Sequence, residues 1–241
     1  MSFIGKGKVY LGPYGAAGAM RPVGNCSKLT LSVDEETKKL LDYMTAGGGA
    51  ASKMSRISGV TATMALREFN AENIALAVYG EADAVTGSSV TDETHTAYKG
   101  GLVRLAHINP STVVVTNEAG TTTYDITDDY LVYPGGIYIV PTGDIVDAQV
   151  IKVDYAYPAQ NVIEAIVNSA QEWVMAFDGL NEAKTGNPVV VDVYRVKFGP
   201  TKALDMIEDD FGTLELTGES LKDETKTGPG IRQYFKWTFI E

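Results

Sequence analysis

The sequence is poor in the residues that most often build reactive sites. It has one cysteine, Cys26, and two histidines, His95 and His107, among 241 residues. A single cysteine excludes an intramolecular disulfide and any zinc or iron–sulfur site made from cysteines. The histidines show no HxH or HExxH spacing, and a metal usually needs three or more ligands held together. We therefore interpret the histidines as partly exposed strand or loop residues and Cys26 as a small buried side chain.

Positive charge and long apolar runs are also scarce. The chain has 20 Lys+Arg against 31 Asp+Glu, a formal net charge of −11. Such an acidic chain is poorly suited to cover a polyanion, which argues against a DNA-coating or anionic-membrane role. It contains no run of about eighteen apolar residues, and its first residues lack the apolar stretch of a signal peptide. We expect a soluble protein that is made in the cytoplasm and has no membrane partner.

The glycine-rich segments do not complete a phosphate-binding motif. Gly5-Lys6-Gly7-Lys8 is not preceded by a strand or followed by a helix in the sequence pattern. Gly47-Gly48-Gly49 lacks the Lys-Ser or Lys-Thr pair of a P-loop, because Lys53 is followed by Met54. A GxSxG nucleophile elbow is absent as well. Both glycine segments are therefore predicted to be loops.

Carboxylates are plentiful but are not arranged as a catalytic or calcium site. They cluster at residues 34–36, 128–129 and 208–210, in an order that does not match a calcium loop. Adjacent acidic residues in turns do not provide the two facing carboxylates of a glycosidase. We assign no catalytic, cofactor-binding or metal-binding residue, and we expect neither a cofactor nor an enzyme.

An alternation of apolar and polar residues dominates the chain and predicts strands. It is found at residues 29–33, 60–67, 190–198, 214–216 and 234–239. In the last of these, Phe235, Trp237 and Phe239 share one face. A mainly β fold is therefore expected.

Two short helices are predicted within this β pattern. Residues 35–45 carry an apolar stripe at helical spacing. Residues 71–79 are preceded by Asn70, a good N-cap, and followed by Gly80, a good helix terminator. The glycine-rich stretch 45–52 is expected to be mobile in the isolated chain.

The middle of the chain is predicted to be a separate module. After a small, polar stretch at 81–96, turn residues separate six short apolar strands. These strands are expected at 102–105, 113–116, 122–126, 130–132, 137–140 and 150–157. Six strands at this spacing predict a small β-sandwich. We therefore divide the chain into an outer domain, residues 1–82 and 162–241, and an inserted domain, residues 83–161.

The order of elements in the outer domain resembles the tail tube proteins of long-tailed bacteriophages. The resemblance rests on Gly5-Lys6-Gly7-Lys8-Val9-Tyr10-Leu11-Gly12, on strands at 25–33 and 60–66, and on residues 69–80. The closing strands at 189–198, 212–221 and 233–240 belong to the same likeness. The insert separately resembles immunoglobulin-like or other β-rich modules of phage structural proteins, through residues 129–130, 136–139 and 150–155.

This resemblance implies both a fold and a function. The fold would be two packed antiparallel sheets with a flanking short helix, forming a ring-shaped β-barrel on oligomerisation, plus an inserted β-sandwich. The protein would be a structural virion protein whose homo-hexameric rings stack into the tail tube, the conduit for DNA delivery into the host. Its partners would be itself and other tail proteins, such as tape measure, tail terminator and distal tail proteins. DNA would pass through the lumen without specific binding, since an acidic wall repels phosphates; alternatively, the charge only maintains solubility.

Two alternatives remain open. The first is the tube subunit of a contractile tail or of a secretion machine. The second is a carbohydrate- or receptor-binding β-sandwich protein, in which tyrosines of the insert form a sugar-stacking patch. The tyrosines concerned are Tyr130, Tyr133, Tyr138, Tyr155 and Tyr157. The same tyrosines are equally compatible with half-buried positions on strands.

Overall fold

The computed structural model describes residues 2–16, 20–44, 46, 48–169, 171–228 and 233–240. This part of the chain is mainly β, with one α-helix and one short 3-10 turn. It forms two compact units, residues 1–82 with 163–241 and residues 83–162. The expected mainly β fold class is confirmed.

The strands and the helix follow one another in this order. They are β1 (Gly5–Pro13), β2 (Arg21–Pro22), β3 (Cys26–Leu41), β4 (Ala50–Leu66), α1 (Ala71–Val78), β5 (Glu81–Val85), β6 (Ser88–Ala97), β7 (Leu102–Arg104), β8 (Ser111–Asn117), β9 (Thr123–Tyr124), β10 (Tyr130–Tyr133), β11 (Gly136–Ile139), β12 (Gln149–Tyr157), β13 (Gln160–Glu164), β14 (Glu172–Asn181), the 3-10 turn (Glu182–Lys184), β15 (Asn187–Phe198), β16 (Leu214–Ser220) and β17 (Phe235–Phe239).

One eight-stranded antiparallel sheet forms the first unit. Its order is β2-β1-β14-β15-β16-β4-β3, and β17 also pairs with β15. β17 pairs with residues 189–193 of β15, whereas β16 pairs with residues 196–198. Where two packed sheets were expected, hydrogen bonds therefore link all eight strands into one sheet. Among the described residues this sheet does not close into a barrel.

The sheet of the first unit curls over its own core. Strands β1 and β4 are four positions apart, so about 19 Å would separate them in a flat sheet. Val9 of β1 and Leu31 of β3, one strand farther along, nevertheless line one cavity. The buried cluster of this unit contains side chains from β1, β4, β14, β15, β16 and α1. Its members are Val9, Leu11, Val23, Ala62, Met64, Leu66, Ala77, Met175, Val193, Val196, Phe198, Leu214 and Leu216. The alternation seen in the sequence places these residues on the inner face.

The helix predicted at residues 71–79 is confirmed. The Asn70 side chain accepts a hydrogen bond from the backbone N–H of Asn73, as an N-cap does. The helix ends at Tyr79, which adopts the left-handed conformation with φ 53°, and the Gly80 N–H bonds to Ala75 O. The expected terminator was Gly80; the left-handed residue is its neighbour Tyr79.

The helix predicted at residues 35–45 is wrong. Residues up to Leu41 continue β3, in an antiparallel register that pairs Thr37 with Ser55 and Leu41 with Ala50. The local helical stripe is overridden because the partner strand, β4, supplies a backbone hydrogen-bonding partner along the whole segment. Residues 50–52, expected in a mobile loop, are part of β4, and Thr45 and Gly47 lie outside the described residues.

Two antiparallel sheets with one common core form the second unit. The sheets have the orders β10-β11-β7 and β6-β12-β8-β9. The six strands predicted from the sequence are present as β7 to β12. The polar stretch at 81–96 was not expected to be regular, yet it forms β5 and β6. The shared core consists of Ala97, Val103, Leu105, Val115, Tyr124, Tyr130, Ile137, Ile139, Ile145, Ile151, Val153 and Tyr155.

The two chain segments that join the units run side by side. β5 and β13 form a two-stranded sheet of their own. At one end of this ribbon, a Cβ on Gly80 would lie 2.5 Å from Glu164 O; at the other, a Cβ on Gly87 would lie 2.9 Å from Ala159 N. The chain therefore leaves the first unit and returns to it at neighbouring positions.

Candidate functional site

The most prominent exposed feature of the first unit is the far end of the β3–β4 hairpin. β16 pairs with β4 only as far as Val60, so beyond that point β3 and β4 pair only with each other among the described strands. We call residues 34–57 the outer hairpin. Apart from the partly exposed Glu36 and Asp42, its described side chains are exposed. It therefore extends beyond the curled sheet without a core of its own.

One face of the outer hairpin balances its charges. The Arg56 guanidinium forms an ion pair with Glu36, with 2.6 Å between Nη2 and Oε2. Lys38 Nζ lies 3.8 Å from the same carboxylate. Met54 is directly opposite Lys38 in the register, and Leu40 is opposite Ser52. This face thus combines a satisfied charge cluster with exposed apolar side chains.

The opposite face carries an uncompensated pair of lysines. Lys39 and Lys53 are direct cross-strand partners, next to the Thr37–Ser55 pair whose hydroxyls are 3.3 Å apart. Like charges at directly opposite positions destabilise a strand pair. Within the described part of the chain neither lysine belongs to an ion pair. An acidic group from outside the hairpin would relieve this repulsion.

Exposed apolar side chains are concentrated on the outer hairpin. Met44 is 95% exposed and Tyr43 is 83% exposed, both at the tip. The others are Leu40, Leu41, Met54 and Ile57. Leu40 and Met54 lie on one face of the hairpin, and Leu41 and Ile57 on the other. A concentration of large exposed apolar side chains on a folded protein usually marks an interaction site.

A second exposed apolar feature is the loop between β15 and β16, residues 199–213, which we call the 199–213 loop. Its ends are anchored, since the Thr201 N–H donates to Ala77 O and Arg67 Nη1 donates to Phe211 O. Between the anchors, Met206, Ile207 and Phe211 are 80%, 98% and 84% exposed.

The 199–213 loop is also acidic. Its carboxylates at residues 205, 208, 209 and 210 are exposed, and among the described residues none forms an ion pair. Asp210 Oδ1 accepts a hydrogen bond from the N–H of Phe211 at 2.7 Å. The other three carboxylates accept no hydrogen bond from a described donor. The loop therefore combines three large apolar side chains with uncompensated negative charge.

Both histidines belong to one hydrogen-bonded network in the second unit. Glu93 Oε1 accepts the Ala106 N–H at 3.0 Å and lies 2.7 Å from His95 Nε2. Tyr155 donates its hydroxyl proton to Glu93 Oε2 at 2.5 Å, and its oxygen is 3.1 Å from His107 Nδ1. The sequence did not predict this network, because only pairing of β6 with β12 brings residue 93 to residue 155.

The network perturbs the pKa values of its two central groups. Burial, reinforced by the hydrogen bond to Glu93, raises the pKa of Tyr155 to about 12. Burial works to raise the pKa of Glu93, but hydrogen bonds from Tyr155, His95 and the Ala106 N–H hold that pKa below its usual value. No group of three or more His, Cys, Asp or Glu able to hold a metal occurs among the described residues. We interpret the network as a structural one, whose hydrogen bonds hold β6 and β12 together.

The remaining candidates from the sequence lie in structural positions. Cys26 is partly buried, where full burial was expected, and its Sγ donates to Lys28 O at 3.1 Å. Burial raises the pKa of its thiol. The Gly5–Lys8 segment is strand β1 and not a loop, Gly48 and Gly49 lie near the hairpin tip, and Gly47 is outside the described residues.

The acidic clusters occupy three different places. Residues 34–36 belong to the outer hairpin and residues 208–210 to the 199–213 loop. In the third cluster, Asp129 is 7% exposed and accepts the backbone N–H groups of Asp125 and Asp144. Asp129 therefore fixes two loops of the second unit.

The tyrosines considered for a sugar-stacking patch do not form one exposed surface. Tyr130 and Tyr155 are each 2% exposed and belong to the core. Tyr157 is partly exposed and stacks on His107, with 3.6 Å between ring centroids. Tyr133 and Tyr138 form a separate tilted pair at 5.9 Å.

Fold and surface define a mainly β protein of antiparallel sheets with a long exposed hairpin. A family model described as "Protein of unknown function UCP028589" matches residues 2–238, so the chain belongs to this family. No curated protein matches the chain. Among the described helices, none has the length and apolar character needed to cross a membrane.

Proposed function

We propose that this protein is a structural subunit that assembles with copies of itself into stacked hexameric rings, forming a phage tail tube that conducts DNA into the host. The observation that carries the proposal is the outer hairpin. It exposes six large apolar side chains that no described part of the chain covers. In a monomer, an exposed hairpin of this kind lowers stability and solubility, whereas in an assembly the hairpin would be buried.

The edge of the sheet supports assembly as well. β3 is the last strand of the eight-stranded sheet and is 16 residues long. One side of an edge strand presents unpaired backbone groups, which natural proteins usually cover or shorten. The other edge strands of this sheet, β2 and β17, have only 2 and 5 residues. An edge as long as β3 is suited to pairing with a neighbouring copy, as a ring with a continuous sheet requires.

The remaining parts of the proposal rest on the resemblance to tail tube proteins. They are the six-fold ring, the tail-tube fold with a barrel closed by neighbouring copies, the partnership with tape measure, tail terminator and distal tail proteins, and the location in the virion tail. The immunoglobulin-like nature of residues 83–161 has the same basis. The net charge of −11 agrees with a lumen that DNA crosses without binding.

Substitution of the apolar residues tests the proposal. In Leu40→Ser/Met54→Ser, we expect a folded protein whose self-association at a given concentration falls about tenfold or more, since two buried apolar side chains are lost per contact. Val146→Ser, an exposed apolar residue of the second unit at 57% exposure, is the matched control. Sedimentation velocity with negative-stain microscopy is the measurement. A wild-type protein that remains monomeric at all concentrations contradicts the proposal.

A further inference from the structure

The outer hairpin and the 199–213 loop are complementary in two respects. Lys39 and Lys53 face each other without an acidic partner, while the loop carries carboxylates without a basic partner. Both features also expose large apolar side chains: Leu41, two residues after Lys39 and on the same face, is 48% exposed, and Ile207 of the loop is 98% exposed. Complementary charge around apolar contacts is the usual composition of a specific protein interface.

The two features lie at opposite ends of the same hairpin. Arg67, which directly follows β4, holds the 199–213 loop through Phe211 O. Met54 is about thirteen residues before Arg67 along this strand, and at about 3.3 Å per residue this corresponds to roughly 40 Å. The hairpin does not fold back onto its own loop, because β3 and β4 stay paired along its length, with bulges at residues 34–35 and 40–41. A contact between the two features therefore needs two copies of the chain.

We propose that the outer hairpin of one copy docks on the 199–213 loop of a second copy. Lys39 and Lys53 meet the carboxylates of Glu208 and Asp209, and Leu41 and Ile57, on the same face of the hairpin as the lysines, pack beside the apolar side chains of the loop. This inference rests on the proposed self-assembly and names the surface that receives the hairpin.

The geometry of this contact joins copies head to tail. Different surfaces of each copy are used, so every bound copy still presents a free hairpin at one end and a free loop at the other. Such a contact propagates without closing on two copies. Successive copies would be displaced by about the length of the hairpin, roughly 40 Å along the stack.

Reciprocal charge reversal tests the pairing. We expect Lys39→Glu/Lys53→Glu alone, and Glu208→Lys/Asp209→Lys alone, each to raise the concentration needed for assembly about tenfold or more, because like charges then meet. A chain that carries all four substitutions should assemble like the wild type, since each hairpin then meets a loop of opposite charge. Glu118→Lys/Asp128→Lys, two exposed acidic residues of the second unit, should leave assembly unchanged.

A disulfide trap gives a readout that does not depend on tubes. In a Cys26→Ser background, Ser55→Cys on the hairpin and Ala203→Cys on the loop are made in separate proteins. Mild oxidation of the mixture should give a covalent heterodimer, at least about tenfold more than either protein gives alone.

The outcomes separate this inference from the proposed function. Tubes that form normally from both charge-reversed variants, with no heterodimer, overturn the hairpin–loop contact and leave the tube proposal standing. A wild-type protein that never self-associates, together with no heterodimer from the two cysteine variants, overturns both. Loss of assembly by either charge-reversed variant without rescue when all four substitutions are combined in one chain also overturns the contact.

Discussion

At the scale of single residues, the structure combines side chains that are far apart in sequence. Glu93 joins Tyr155, His95 and the Ala106 N–H because β6 pairs with β12. The sequence alone predicted partly exposed strand or loop positions for the histidines, but it could not predict the network. The spacing between residues 93 and 155 carries no periodic signal that would bring them together.

The raised pKa of Tyr155 predicts a loss of stability at high pH. Its folded-state pKa is about 12 and its ordinary value is 10.0, so the stabilisation is fully present below pH 10 and is lost as the pH rises towards 12. Urea unfolding of the second unit, followed from pH 8 to 12, measures this decline. In Tyr155→Phe the decline should be smaller, and stability at neutral pH should fall by about 1–3 kcal/mol, because Glu93 loses a donor.

Tyr133→Phe provides the control, since the Tyr133 ring is 45% exposed. Its unfolding should follow the wild-type pH profile. If the stability of Tyr155→Phe falls at high pH as much as that of the wild type, groups other than Tyr155 cause the decline.

At the scale of elements, the sequence predicted the helix whose hydrogen bonds are local. It did not predict some strands whose hydrogen bonds join segments that are distant in sequence. Asn70 and the apolar pattern after it predicted α1, since a capped helix forms its hydrogen bonds within a few residues. Residues 35–45 carried a similar helical stripe and are a strand, because their hydrogen bonds go to β4. The strand β6 was missed since it is an edge strand whose mostly polar residues lack apolar alternation.

The outer hairpin should be removable without loss of the fold. Glu36 and Arg56 are cross-strand partners, so replacement of residues 37–55 by Asn-Gly closes a two-residue hairpin at that point. Since none of the removed residues belongs to the buried cluster of the first unit, we expect a change in unfolding free energy within about 1 kcal/mol. Circular dichroism and thermal unfolding measure this.

The same variant should fail to assemble. An insoluble or unfolded product would show instead that the hairpin contributes to the core. A product that still assembles like the wild type would show that the hairpin is not the contact surface.

At the scale of the whole molecule, each compact unit has its own buried cluster. The described cluster of the first unit contains no residue from 83–162, and that of the second contains none outside this range. Composition and turn spacing indicated a separate module because a strand-rich segment can bury its own apolar face. The curl of the eight-stranded sheet was not predictable, since strand order is fixed by pairings between distant segments.

The second unit should be dispensable for assembly. Its two connections to the first unit lie side by side as β5 and β13, so a short Gly/Ser linker in place of residues 83–161 does not strain the remainder. We expect soluble protein that still forms tubes, visible by negative-stain microscopy. Soluble rings that do not stack would place residues 83–161 in the contact between rings.

Cryo-electron microscopy of the purified protein, over a series of rising concentrations, tests the central claim most directly. The account predicts rings of six copies that stack with a repeat of roughly 40 Å, in which the outer hairpin of each copy is buried against the next ring. Single copies at every concentration, or an assembly in which residues 34–57 remain exposed to solvent, would contradict it.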